Sequence, residues 1–192
     1  RKKISISTAF NYLPWNKAKI NIIDTPGDLN FFADARMSIQ CMDIVLLVID
    51  AVDGTRVQAE RSVELANDLH LPVAIFYNKM DKERASFDGC LKDIKGNLND
   101  LRPLILELPI GSEANFKGII NLLTMKAHIY KDDKSNFSKE EIPSEMKNLA
   151  DEYREKLVEM VAETNDELIE KYLREGQLSE IEILQGFSIG IK

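Results

Sequence analysis

Along this chain the hydrophobic positions come in blocks whose period changes, and the changes predict an alternation of strands and helices. Residues 4–12 (ISISTAFNY) are rich in β-branched and aromatic types and predict a strand. Residues 18–23 (AKINII) predict a second, after the turn-prone Leu13-Pro14-Trp15-Asn16. Asp24-Thr25-Pro26-Gly27 ends that strand abruptly, and a helix is expected from about Asn30 to Met42. Ile44 to Ile49 is the longest aliphatic run, six residues between Asp43 and Asp50, far short of a membrane span. It predicts a strand of the kind found where helices cover both faces of a parallel sheet. Residues 56–69 predict a helix with Val57, Val63, Leu65, Ala66 and Leu69 toward the core. Leu71 to Tyr77 predicts another buried strand, ending at Asn78-Lys79-Met80-Asp81, and a helix follows from about Glu83 to Leu98. This order predicts a doubly wound α/β domain, in which ligands bind beyond the carboxyl ends of the strands. Asp24 and Asn78 both stand at such ends.

The pattern changes near residue 100. Leu104–Ile110 and Gly118–Leu123 predict short strands, with Lys126–Tyr130 continuing the second or forming a third, and residues 131–138 a polar loop. Pro143 and Ser144 open a long helix to about Glu163, with Ser144 as the expected N-cap. Its apolar stripe is expected to comprise Leu149, Tyr153, Leu157, Met160 and Val161, opposite an acidic face. Shorter helices are expected over residues 166–174 and 179–185. Two domains follow: residues 1–99, the α/β part, and residues 100–192, an α+β part.

Composition adds little until charge is mapped. At 44% hydrophobic and 30% charged residues the chain is an ordinary globular sequence. The net charge of −7 is unevenly spread: residues 139–182 hold 14 acidic against 6 basic residues, a balance of −8, which leaves the rest at +1. An acidic surface of this kind suits a basic protein partner or a solvated helix face better than bare nucleic acid. Cys41 and Cys90 lack metal-ligand spacing and are expected as reduced thiols. His70 and His128 have no nucleophile or ligand partner nearby in sequence and are expected to be structural. No signal or transit pattern opens the chain and residue 1 is Arg, so further sequence is expected upstream of it, in a cytoplasmic protein.

The chemistry lies in the two strand-end motifs, whose first residues stand 54 positions apart. After the earlier strand, DTPG offers a carboxylate at Asp24 that can hold a phosphate-bound Mg²⁺ through water, since Mg²⁺ prefers hard oxygen ligands and keeps much of its hydration. Gly27 has no side chain, so its N–H can approach a γ-phosphate oxygen closely, with Thr25 and Pro26 shaping the loop. After the later strand, NKMD places Asp81 to accept from both the N1–H and the exocyclic amine of guanine. Adenine lacks that donor pair, and a site built on such bonds can reject the wrong partner roughly 10⁴-fold. Asn78 can brace the loop and the base edge, and the aliphatic stem of Lys79 can cover the ring face. The two motifs in this order predict a guanine-nucleotide site binding GTP and GDP.

With these motifs in place, the chain resembles elongation factor G, the translational GTPase, or a divergent paralogue of it. Lys2–Trp15 (KKISISTAFNYLPW) resembles the end of that family's first switch and the strand after it. Leu108-Pro109-Ile110-Gly111, Phe116-Lys117-Gly118 and Met125-Lys126-Ala127 resemble the family's inserted subdomain, and the match continues at Glu155-Lys156-Leu157-Val158-Glu159 and Lys171-Tyr172-Leu173. The likeness spans nearly all of residues 2–185. It implies a P-loop-type GTPase core over residues 1–99, incomplete because no G-x-x-x-x-G-K-[ST] occurs, and an inserted α+β subdomain over residues 100–192. It further implies action on the ribosome, and contact with the ribosomal stalk protein through the acidic helix of residues 144–163. The family's Ser-Ala-Leu base-contacting loop is also absent from the 192 residues.

Three positions depart from the family pattern. Asp28 stands where the family carries the His that positions the attacking water. A carboxylate there can orient water but is repelled by an anionic γ-phosphate, and Asp is equally suited to cap the helix that follows. Ser5 stands where the family places a Thr on Mg²⁺ and keeps the hydroxyl. Lys3 replaces a Gly just before it. The resemblance therefore supports two readings: a ribosome-acting GTPase, or a ribosome-binding paralogue with impaired hydrolysis. Release factor 3 and the tetracycline ribosomal-protection proteins are lesser alternatives, the inserted subdomain standing against the latter.

Overall fold

The computed structural model describes residues 4–98, 101–131 and 136–190. Lys2 and Lys3 of the switch-like segment and residues 132–135 of the expected loop lie outside them. The described chain is mixed α/β and forms two compact units, one ending at Tyr77 and the other starting at Asn78. No helix among the described residues is long and apolar enough to cross a membrane.

The first unit opens with an antiparallel hairpin, β1 (Ala9–Trp15) and β2 (Ala18–Asp24). The turn falls at Asn16-Lys17, both with positive φ (45° and 68°), so of the expected turn Leu13-Pro14-Trp15-Asn16 the first three residues belong to β1. Two consecutive positive-φ residues match the strand twist of a hairpin, and Pro14 is tolerated because the pair offers it an edge, opposite Lys19. A 3₁₀ turn (Leu29–Phe31) leads into α1 (Phe32–Ile39), followed by β3 (Val45–Asp50), α2 (Val57–Asp68) and β4 (Val73–Asn78), which is hydrogen-bonded to β3. The core of this unit is Ala35 and Ile39 of α1, Val45, Leu47 and Ile49 of β3, and Val63 and Ala66 of α2. The aliphatic run is thus buried on one face only. Leu46 and Val48 are 60% and 61% exposed, because α2 lies against β3 over the Val45–Leu47–Ile49 side.

The second unit begins with the loop after β4 and α3 (Phe87–Asn97), whose N-cap Ser86 accepts from the Gly89 N–H at 3.1 Å. Next comes an antiparallel sheet in the order β5 (Glu107–Ile110), β6 (Gly118–Asn121), β7 (Lys126–Tyr130) and β8 (Phe137–Glu140). β8 falls where a loop end is expected from sequence. Its Phe137 pairs with Tyr130, and His128 stacks on the Phe137 ring at 4.5 Å, so cross-strand aromatic contacts hold a strand with little apolar patterning of its own. One face of the sheet (Leu108, Ile110, Ile120, Ala127) joins α4 (Lys147–Ala162), α5 (Asp166–Glu175) and α6 (Glu180–Gly190) in a single core.

The buried stripe of α4 is Ala150, Leu157, Val158, Val161 and Ala162. Leu157 and Val161 match the expected stripe, but Leu149 is 40% exposed, since small residues at 150 and 162 let the helix approach its neighbours on a face rotated by about one position. Ser144 does not cap α4. It lies in a 3₁₀ turn (Ser144–Met146) that begins after Pro143, and its hydroxyl contacts Glu145. α5 is capped at both ends: Asn165 accepts from the N–H groups of Glu167 and Leu168, and Gly176 follows with φ 72°. α6 runs five residues past the expected end at Gln185. A Cβ at Gly186 would lie 2.6 Å from Val161 and 2.7 Å from Leu168, so only glycine lets α6 sit this close to α4 and α5.

A capping box fixes the start of α6. The Glu182 carboxylate accepts from the Ser179 N–H and hydroxyl at 2.9 and 2.7 Å, while the Lys171 ammonium reaches its other oxygen at 2.7 Å. The Lys171 bond, then those of Ser179, hold the Glu182 carboxyl down at about 2, below its usual 4.5. A depressed carboxylate contributes stability above its unfolded pKa and loses it as pH falls through its folded value. Hydrogen-exchange protection of α6 should therefore stay constant above about pH 5 and fall between pH 4.5 and 2, and Glu182→Gln should remove that acid dependence.

Candidate guanine-nucleotide site

DTPG forms the loop that leaves β2. Asp24 is the last strand residue, exposed, and in register with Ala9. Pro26 is buried and anchors the loop, whereas Gly27 is exposed, with no atom within 4 Å of where a Cβ would lie. Gly27 therefore leaves its backbone open to close approach. Because β1 is antiparallel to β2, the segment carrying Ser5 enters the sheet at the end where DTPG leaves it. Ser5 is exposed and precedes Ala9 by four residues. The hairpin thus sets Asp24, Thr25, Pro26, Gly27 and Asp28 at the sheet end where the segment carrying Ser5 enters it.

Asp28 takes the capping role. It is the N-cap of the 3₁₀ turn, with φ −89° and ψ 138°, and its carboxylate accepts from the Asn30 N–H at 2.9 Å and the Asn30 side-chain amide at 2.7 Å.

Asn78, Lys79 and Asp81 lie together on the loop after β4. The Asn78 side-chain oxygen accepts from the Lys79 N–H at 2.8 Å, and Lys79 adopts φ 64°. Its carbonyl accepts from the Lys82 N–H at 3.1 Å, closing a tight turn that leaves the Lys79 and Asp81 side chains exposed. Met80 points the other way and is half-buried, its sulfur 4.0 Å from that of Cys90. Burial, and secondarily Asp93, push the Cys90 thiol up to about 11, so it is an uncharged filler beneath the loop. Cys41 is exposed, and both cysteines are free.

A contact invisible to local sequence patterning holds this loop from outside. The Glu113 N–H donates to the Met80 carbonyl at 3.0 Å, and the Glu113 carboxylate accepts from the Arg84 N–H at 2.7 Å. Glu113 lies between β5 and β6, just past the Leu108–Gly111 motif, and Arg84 is 29 residues away from it. The DTPG and NKMD loops belong to different compact units.

Among the described residues no three His, Cys, Asp or Glu side chains form a metal cage. Two hard-oxygen donors of the type Mg²⁺ prefers, the carboxylate of Asp24 and the hydroxyl of Ser5, belong to exposed residues.

A family model described as the elongation factor Tu GTP binding domain matches residues 1–190. In fold the chain is similar to a crystal structure from Thermus thermophilus, with a TM-score of 0.85 at 24% identity, covering 96% of this chain and 27% of that one. The chain thus spans about a quarter of the Thermus protein's length. If Asp28 is chiefly a cap, Asp28→Ala should lower stability by about 1 kcal/mol, read as a urea midpoint shift, while Asp28→Asn should leave the midpoint nearly unchanged.

Proposed function

Since the chain belongs to the elongation factor Tu GTP-binding domain family, we propose that it is part of an elongation factor G-type GTPase that acts on the ribosome in translocation or recycling. The observation that carries this reading is the pair of strand-end loops, DTPG after β2 and NKMD after β4, with their charged side chains exposed. In this reading residues 1–99 are the partial GTPase core and residues 100–192 the inserted subdomain of a longer, cytoplasmic factor.

Each site residue then has a task. Asp81 accepts from guanine, Lys79 lays its stem on the ring, and Asn78 holds the turn through the Lys79 N–H. Asp24 and Ser5 hold Mg²⁺, which when bound neutralises charge on the phosphate oxygens. The Gly27 N–H donates to the γ-phosphate, where water attacks. The acidic face of α4, with Asp151, Glu152, Glu155 and Glu159 exposed, faces the ribosomal stalk protein.

The capped Asp28 favours a second reading, a paralogue that binds the ribosome with impaired hydrolysis, because its carboxylate is engaged by Asn30. In the full-length protein Asp28→His should then raise ribosome-stimulated turnover; unchanged turnover would remove this account of the position. The main reading is tested by Asp81→Asn in the full-length protein, which should shift preference from GDP to XDP, whose ring carries a carbonyl in place of the amine. Retained GDP preference would sink it. For the 192-residue chain alone, calorimetric titration should show weak or no GDP binding.

A further inference from the structure

We propose that Glu113 is a positioning residue for guanine recognition, setting the shape of the NKMD loop from within the β5–β6 connection and so tying nucleotide selectivity to that sheet. The inference rests on the reading of Asp81 as the guanine acceptor.

Between Asn78 and Ser86 the loop crosses two positive-φ residues, Lys79 (64°) and Arg84 (71°), which cost energy for residues with a side chain. Its own backbone bonds, from Lys82 to Lys79 and from Ala85 to Lys82, are short-range. Glu113 bridges the outer part of the turn: its N–H takes the Met80 carbonyl, and its carboxylate takes the Arg84 N–H. Asp81 lies between those two anchors. A carboxylate acceptor makes the Arg84 bond stronger than a neutral one.

Glu113 is itself held by a rigid turn. It has φ 53° and starts a 3₁₀ turn (Glu113–Asn115), closed by bonds from Asn115 N–H to the Ser112 carbonyl and from Phe116 N–H to the Glu113 carbonyl. The Lys117 N–H donates to the Ile110 carbonyl across the base of the connection at 2.9 Å. Gly111 makes the turn possible: its φ is 78°, and a Cβ there would collide with the Asn115 carbonyl. Ile110 beneath it belongs to the sheet core. A displacement of the sheet edge would thus reach the residues flanking Asp81 through two hydrogen bonds.

Two measurements test this. In the 192-residue chain, Glu113→Ala should speed amide exchange at Arg84 roughly tenfold, with Glu113→Gln, which keeps an acceptor, intermediate. In the full-length protein, GDP is compared with IDP, whose hypoxanthine lacks the exocyclic amine. Glu113→Ala should shrink the GDP-over-IDP preference roughly tenfold. Gly111→Ala, which shifts the turn but keeps the carboxylate, should shrink it in the same direction. A role confined to folding would lower both affinities together and leave the ratio unchanged. An unchanged ratio, or unchanged Arg84 exchange, overturns the proposal while Asp81→Asn still switches the protein to XDP. If Asp81→Asn fails to switch, the guanine reading itself is wrong.

Discussion

The burial of one face of the four-stranded sheet beneath α4 is the interaction on which the second unit depends. Leu108, Ile120, Leu122 and Leu157 are almost completely removed from solvent, and each such side chain contributes about 1.5–3 kcal/mol on burial. That packing fixes β5 and β6 relative to each other, and the connection between them has only the geometry that Gly111 and the 3₁₀ turn permit. The connection in turn presents Glu113 to the NKMD loop. The turn that carries the exposed Asp81 is thus tied, through Glu113, to the connection between two core strands.

The first unit solves a similar problem with less. Its hairpin carries exposed apolar side chains, Phe10 at 77% and Trp15 at 66% among them, and what positions DTPG is the register of β1 against β2 together with the buried ring of Pro26. The strand pairing also brings the segment that carries Ser5 into the sheet at the end where Asp24 leaves it. Asp28 closes the loop by capping the turn after it.

How much of this was legible depended on the range of the cause. The DTPG and NKMD loops were readable because proline, glycine and a strand's end act within a few residues. The α/β order was readable from period alone. The hairpin turn was misplaced because Asn16 and Lys17 adopt left-handed backbone without the glycine that usually announces it. β8 was missed because its support is cross-strand stacking on residues already assigned to another element. The aliphatic run of β3 predicts two covered faces, and its sequence does not say on which side α2 lies. Ser144 has the residue type of a cap, but the chain enters α4 through a 3₁₀ turn. Glu113 carried no local signal, since its partners lie across the fold.

The proposed recognition of guanine by the NKMD loop is tested most directly by competition in the full-length protein. A fluorescent guanine nucleotide bound there should be displaced by GTP and GDP and not by ATP at the same concentration, because only guanine offers Asp81 two donors. Displacement by ATP as effective as that by GTP would contradict the account.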